Sequence, residues 1–144
     1  MTCIPQKILV PIDGSQNAAR ALTYAERLVK CGLVSEVHLV NVQPPVDTAV
    51  TTFVGKKAVS GYHHDEGMKA LAAARASLDQ ANVAHQIHIG VGQPPDVITA
   101  FCVEFGCDVI IMGTRGRTGA AAAILGSVAQ GVISRSKVPV TLVT

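Results

Sequence analysis

Aromatic residues are nearly missing from this chain: three Phe, two Tyr and no Trp make up 3% of its 144 residues. Single-stranded nucleic acid is held by stacking bases on aromatic side chains, so this scarcity argues against a nucleic-acid partner. Acidic residues are missing from the last quarter. Between Val109 and Thr144 the charged residues are Arg115, Arg117, Arg135 and Lys137, a local charge of +4. The preceding residues hold eight Lys/Arg and ten Asp/Glu, or −2. The last quarter is therefore where an anionic ligand is expected, with a solvated basic face as the alternative. No apolar run approaches the ~20 residues needed to cross a bilayer. The opening MTCIPQKILVPID has no charged segment followed by a long apolar one, so neither a signal peptide nor a membrane partner is expected, and the expected location is cytoplasmic. The four cysteines (Cys3, Cys31, Cys102 and Cys107) lack metal-ligand spacing, and Cys102 and Cys107 do not form a CxxC pair. Free thiols in a reducing compartment are expected, with Cys102 a small core residue.

What the chain has is aliphatic: 49% of it is hydrophobic. Such a core suits buried parallel strands covered by helices. Lys7 to Ile12 reads as a buried strand, ended by Asp13-Gly14, with Ser15 capping a helix whose stripe is Ala18, Leu22, Ala25 and Val29. Gly32 closes that helix, and Glu36 to Val42 is the second strand. Residues 43–61 contain Pro44, Pro45, Gly55 and Gly61 and read as a long surface loop. A helix with Met68, Leu71, Ala74 and Leu78 follows, then a half-exposed edge strand over 84–90. Pro94-Pro95 opens a helix with the stripe Val97, Ile98, Phe101, Cys102 and Phe105. Asp108 to Met112 is a buried strand. After a Gly-rich loop comes a helix with Ile124, Leu125, Val128, Ala129, Val132 and Ile133 on one face. Val138 to Val143 is the last strand, and Pro139 inside it marks an edge. Five strands alternating with four helices imply βαβ units, a parallel sheet and right-handed crossovers. No repeat or boundary divides residues 1–144, so one domain is expected.

The segment that carries chemistry is Met112 to Val128, MGTRGRTGAAAAILGSV, between a buried strand and a helix. Open α/β sheets bind ligands at the carboxyl ends of their strands, where strand order reverses. Glycines there let backbone N–H groups approach phosphate oxygens. Gly126 and Ser127 would stand at a helix N-terminus, which favours an anion. Arg115 and Arg117 add charge, and Thr114, Thr118 and Ser127 add hydroxyl donors. Other nucleotide signatures are absent. No GxxxxGK[ST] occurs, and the first strand-to-helix turn reads PIDGS rather than GxGxxG.

The spacing Gly113-x2-Gly116-x9-Gly126-Ser127 resembles the G-x2-G-x9-G-[S/T] loop of the ATP-binding branch of the universal stress protein family. The opening Lys7 to Ser15, the Gly92-Gln93-Pro94 entry to a helix and the closing Val138 to Val143 are similar to further segments of that family, so the resemblance spans nearly the whole chain. It implies a three-layer α/β/α sandwich of the adenine nucleotide α-hydrolase-like class, with a five-stranded parallel sheet in the order 3-2-1-4-5. It implies ATP, or else AMP or ADP, as ligand, with Mg2+ or Mn2+. Pro11 and Val42 would line the adenine pocket, and Asp13 would reach the nucleotide or its metal. Met112 and Gly113 would contact ribose and the first phosphates. Gly116, Arg117 and Thr118 would continue the cradle, and Gly126, Ser127 and Val128 would close it. It also implies a homodimer paired through the last strand.

The remaining polar residues have plainer readings. His63 and His64 read as a solvated helix start, His38 as a hydrogen-bonded core residue, His88 as an exposed edge-strand residue and Ser127 as a helix cap. The leading function is a nucleotide-binding regulatory protein of the stress response. The rivals are a slow ATPase or autophosphorylating enzyme, with Asp13 the nearby carboxylate, and a ligand-free interaction module.

Overall fold

The computed structural model describes Ile4, residues 6–115 and residues 125–144. Its elements run β1 (Gln6–Pro11), α1 (Gln16–Lys30), β2 (Val34–Gln43), α2 (Thr48–Val54), α3 (Lys56–Gln80), β3 (His85–Val91), α4 (Pro94–Glu104), β4 (Val109–Gly113), α5 (Ser127–Arg135) and β5 (Val140–Val143). The strands pair in parallel in the order β3-β2-β1-β4-β5, the expected topology.

Two cores sandwich the sheet because strand side chains alternate between its faces. Ile8 and Val10 of β1 and Ile111 of β4 point toward α1 and α3, where they meet Ala21, Leu22, Leu71 and Leu78. Leu9, Ile110 and Met112 point the other way, toward Ile98 and Cys102 of α4 and Ala129 and Val132 of α5. Ile8, Leu9 and Val10 are completely buried. Each such side chain contributes about 1.5–3 kcal/mol, so three in succession make β1 the centre of the molecule.

Helix ends follow local chemistry. Ser15 Oγ accepts from the Ala18 N–H at 3.1 Å and caps α1, as expected. Beyond the other end, Gly32 adopts φ +76, and the Leu33 N–H returns to the Leu28 carbonyl at 3.0 Å. That left-handed turn suits a residue without a Cβ.

The reading of 43–61 as a surface loop is corrected: most of it is helical. Asp47 caps α2 by accepting from the Ala49 N–H at 2.9 Å. Gly55, at φ +90, breaks the chain for one residue before α3 begins at Lys56. Pro44 and Pro45 precede the cap, where they obstruct nothing. The helix was hidden because α2 buries none of its residues and so shows no apolar period. For the same reason His63 is not at a solvated helix start. It lies inside α3, buried, with Nε2 3.0 Å from the Pro44 carbonyl. His64 is exposed.

His88 is also corrected. On edge strand β3 it is half-buried rather than exposed, stacked on Phe105 with ring centroids 3.9 Å apart. His38 is the buried, bonded residue expected, its Nε2 2.8 Å from Glu36 and its Nδ1 2.9 Å from His88 Nε2. Pro139 lies just ahead of β5 rather than inside it, and its carbonyl accepts from the Ile110 N–H at 3.0 Å. Cys31, Cys102 and Cys107 are free thiols. Burial pushes the Cys107 thiol up to about 12, which leaves it inert. Among the described residues no helix is long and apolar enough to cross a membrane.

Candidate functional site

The chain crosses from β1 to β2 on one side and later enters β4 on the other, so the sheet's switch point lies between β1 and β4. A cavity of about 290 Å³ opens at the carboxyl ends of these strands. Every expected site residue outside 116–124 lines it. Pro11 and Asp13 come from the end of β1, Val42 from β2, and Met112 and Gly113 from β4. Thr114 and Arg115 follow β4, and Gly126, Ser127 and Val128 begin α5. Gly116, Arg117 and Thr118 lie outside the described residues.

The cavity has an apolar end and a polar end. Val40, Ile98 and Ala129 join Pro11, Val42 and Met112 to make a greasy slot of the kind that accepts a flat ring. Reading the motif missed Val40, Ile98 and Ala129. Their signal is the alternate-residue pattern of β2 and the inner stripes of α4 and α5, which also describes ordinary core.

The polar end is the start of α5. Gly126 occupies the cap position at φ −69 with no side-chain cap. Its own N–H donates to the Thr114 carbonyl at 2.6 Å, so it is not free for a ligand. The next three N–H groups, of Ser127, Val128 and Ala129, have no acceptor among the described residues. Any helix leaves its first donors open in this way. Ser127 is therefore the first helical residue and not the cap.

Thr114 supplies a second sign of an absent acceptor. The residue is 6% exposed, and its hydroxyl Oγ1 is buried without a hydrogen-bond partner. Leaving such a group unpaired costs about 1–3 kcal/mol. Arg115 is exposed and makes no ion pair among the described residues. Arg135, by contrast, is spent: its Nε lies 2.9 Å from Asp96 Oδ1. It ends α5, about 12 Å along the helix from the open N-terminus. The basic bias of the last quarter thus reaches this cavity only in part.

Asp13 borders both this cavity and a neighbouring one of about 470 Å³ lined by Tyr62, Glu66 and Lys69. Its Oδ1 accepts from the Ser15 N–H at 2.9 Å, which ties it to the entry of α1. Among the described residues no three His, Cys, Asp or Glu side chains gather as a metal cluster. The donor set fits a hard cation held by one carboxylate and by the ligand's own oxygens.

The sequence profile of the universal stress protein family matches residues 5–144. A universal stress protein of Methanocaldococcus jannaschii is 33% identical, over 96% of this chain and 81% of the relative. A universal stress protein E homolog of Haemophilus influenzae is 30% identical over 91% of this chain, which spans 45% of that longer relative. Among solved structures, a hypothetical protein whose biochemical function was assigned from its structure superposes with a TM-score of 0.80 at 28% identity, covering 96% of this chain and 94% of that one. The fold is shared with a universal stress protein in complex with cAMP (TM-score 0.72, 24% identity, 96% and 97% coverage). It is shared as well with one from Archaeoglobus fulgidus in complex with dAMP (TM-score 0.68, 22% identity, 99% and 100% coverage). The chain belongs to the universal stress protein family.

Proposed function

We propose that this protein binds an adenine nucleotide, ATP above AMP or ADP, in the cavity between β1, β4 and α5, and acts as a cytoplasmic, nucleotide-responsive regulator in the stress response. The observation that carries the reading is the unpartnered Thr114 hydroxyl beside the uncapped start of α5. Together they form a donor set that favours an anion. The apolar slot against Pro11, Val42 and Ile98 suits the base, which leaves the phosphates to Thr114, Arg115 and the Ser127 to Ala129 N–H groups. Relatives of the same fold hold cAMP and dAMP, which supports the ligand class.

The direct test is mass spectrometry of small molecules released from the purified protein, followed by calorimetry. Thr114→Val keeps the shape and removes the hydroxyl. It should leave unfolding stability unchanged or slightly higher while weakening ATP binding about tenfold. Equal affinity in the two proteins would take Thr114 out of the site. No bound nucleotide and no measurable affinity in the wild type would overturn the whole reading.

Slow hydrolysis is the second reading, and it rests on Asp13, the acid that lines the cavity. Fast phosphoryl transfer needs positioned metal ions, an oriented nucleophile and charge stabilisation. One carboxylate already bonded to the Ser15 N–H supplies little of this. Turnover should fall far below the ~1–100 s⁻¹ of kinases. Asp13→Asn should weaken magnesium-dependent ATP binding more than metal-free binding. Phosphate release at kinase-like rates would show that the protein is an enzyme first.

A further inference from the structure

Asn17 stands on the first turn of α1, outside the cavity lining, and is 6% exposed. Its amide is committed at both ends. Oδ1 accepts from the Arg115 backbone N–H at 2.6 Å, and Nδ2 donates to the Val143 carbonyl at 3.0 Å. The same Val143 carbonyl accepts from the Thr114 N–H at 3.1 Å, and the Thr114 carbonyl accepts from the Gly126 N–H at 2.6 Å. Four points of the fold, α1, the exit of β4, the start of α5 and the end of β5, are thereby joined in one chain of hydrogen bonds. Arg20, one turn further along α1, donates Nε to the Thr144 carbonyl at 2.9 Å and holds the end of β5 a second time.

We infer that Asn17 is a positioning residue for the phosphate end of the nucleotide site, fixing Thr114 and Arg115 from behind. The inference rests on the nucleotide reading above. The geometry requires a side chain that both donates and accepts, at this length. Ala reaches neither partner, and Asp keeps the acceptor but loses the donor. Gly113 is the counterpart of the clamp. A Cβ there would run into the Asn17 amide and lie 3.0 Å from the Asn17 main-chain carbonyl carbon. The bare glycine is what allows Asn17 to lie across β4. The clamp touches the turn that meets phosphate and not the apolar slot that meets the base. Its loss should therefore penalise the phosphates alone.

Two measurements on Asn17→Ala and Asn17→Asp test this. In ligand-free protein, NMR amide exchange at Arg115 should speed up about tenfold in Asn17→Ala and stay near wild type in Asn17→Asp, which retains the acceptor. In calorimetry, Asn17→Ala should bind ATP about tenfold more weakly, with adenosine affinity within about twofold of wild type, because only the preorganised phosphate contacts are loosened. Unchanged exchange at Arg115 in Asn17→Ala, or equal loss of exchange protection in both variants, would overturn the clamp. Parallel losses of ATP and adenosine affinity, or no loss of either, would overturn its role in positioning phosphate. Asp is nearly isosteric and favourable on a helix's first turn, so should the Ala variant fail to fold, Asn17→Asp decides the clamp. A carboxylate facing the Val143 carbonyl should speed exchange at Thr114, whose N–H shares that carbonyl, while Arg115 stays protected. Unchanged exchange at Thr114 would overturn it. A wild type that binds neither ATP nor adenosine would end the nucleotide reading, while the exchange arm would still decide the clamp.

Discussion

Gly113 has two reasons to be glycine, and only one of them concerns a ligand. Its place in the G-x2-G-x9-G-[S/T] spacing suggests phosphate contact, whereas the structure shows Asn17 filling the space a Cβ would need. Gly113→Ala should therefore destabilise the fold by about 1–3 kcal/mol even without nucleotide, as overpacking does. Denaturant unfolding of the ligand-free protein measures this, and an unchanged midpoint would mean that Asn17 can step aside. His88 makes a different prediction. Burial first, then the neighbouring His38, pushes its imidazole below its ordinary value of 6.5, against a small opposing effect of Glu104. Glu36 is also lowered, chiefly by its hydrogen bond with His38. Both groups thus have folded values below their unfolded ones. The stability they provide is present above the unfolded values and is lost as pH falls through the folded ones. The melting temperature should decline from below about pH 6.5, for His88, and again in the carboxylate range, for Glu36. His88→Gln should flatten the first decline. An unchanged slope between pH 7 and pH 5 would show that His88 does not couple to folding. His38 was legible as a core residue because its neighbours on β2 are apolar. His88 was not, because its stacking partner, Phe105, comes from the far end of α4.

Elements with a buried stripe were legible, and those without one were not. α1 announces itself by period, cap and closing glycine, and α4 by period and its opening prolines, all of which are local. α2 lacks the period because it packs on nothing that would impose one, and Phe53 on it is 90% exposed. Its stability should come from its ends. Asp47→Ala removes the cap, which is worth about 0.5–2 kcal/mol. Because α2 buries no residue, the loss should stay local: amide exchange at Thr51 and Gly55 should accelerate while the global melting temperature hardly moves. A large drop in melting temperature would mean that α2 supports the core after all. The start of α5 is the opposite case. Its position was legible from Gly126 and Ser127, although Leu125, read as part of the helix face, lies ahead of it and Ile124 lies outside the described residues. The engagement of the Gly126 N–H by Thr114 was not legible. That bond joins residues brought together only when β4 and α5 pack.

At the scale of the whole molecule, β5 is the margin of the sheet, with Val140 to Val143 half-buried and one edge of its backbone unpaired among the described residues. An apolar edge of this kind invites pairing with a second copy, and two-fold pairing is the commonest closed form. A homodimer through β5 is the expected assembly. Light scattering at micromolar concentration should give twice the chain mass, and a monomer both with and without ATP would contradict it. Because Asn17 and Arg20 hold the end of β5, such a dimer would lie behind the turn that lines the cavity. The sequence by itself determined the five strands and the four helices that bury a stripe, because alternation, capping and glycine spacing are written over short stretches, while the strand order came with the resemblance to the family. Only the tertiary structure decided which donors stay open, that Arg135 pairs with Asp96 and that Asn17 clamps the turn after β4. Each of these depends on side chains far apart in the chain, whose meeting is set by how helices pack across a sheet and leaves no local trace.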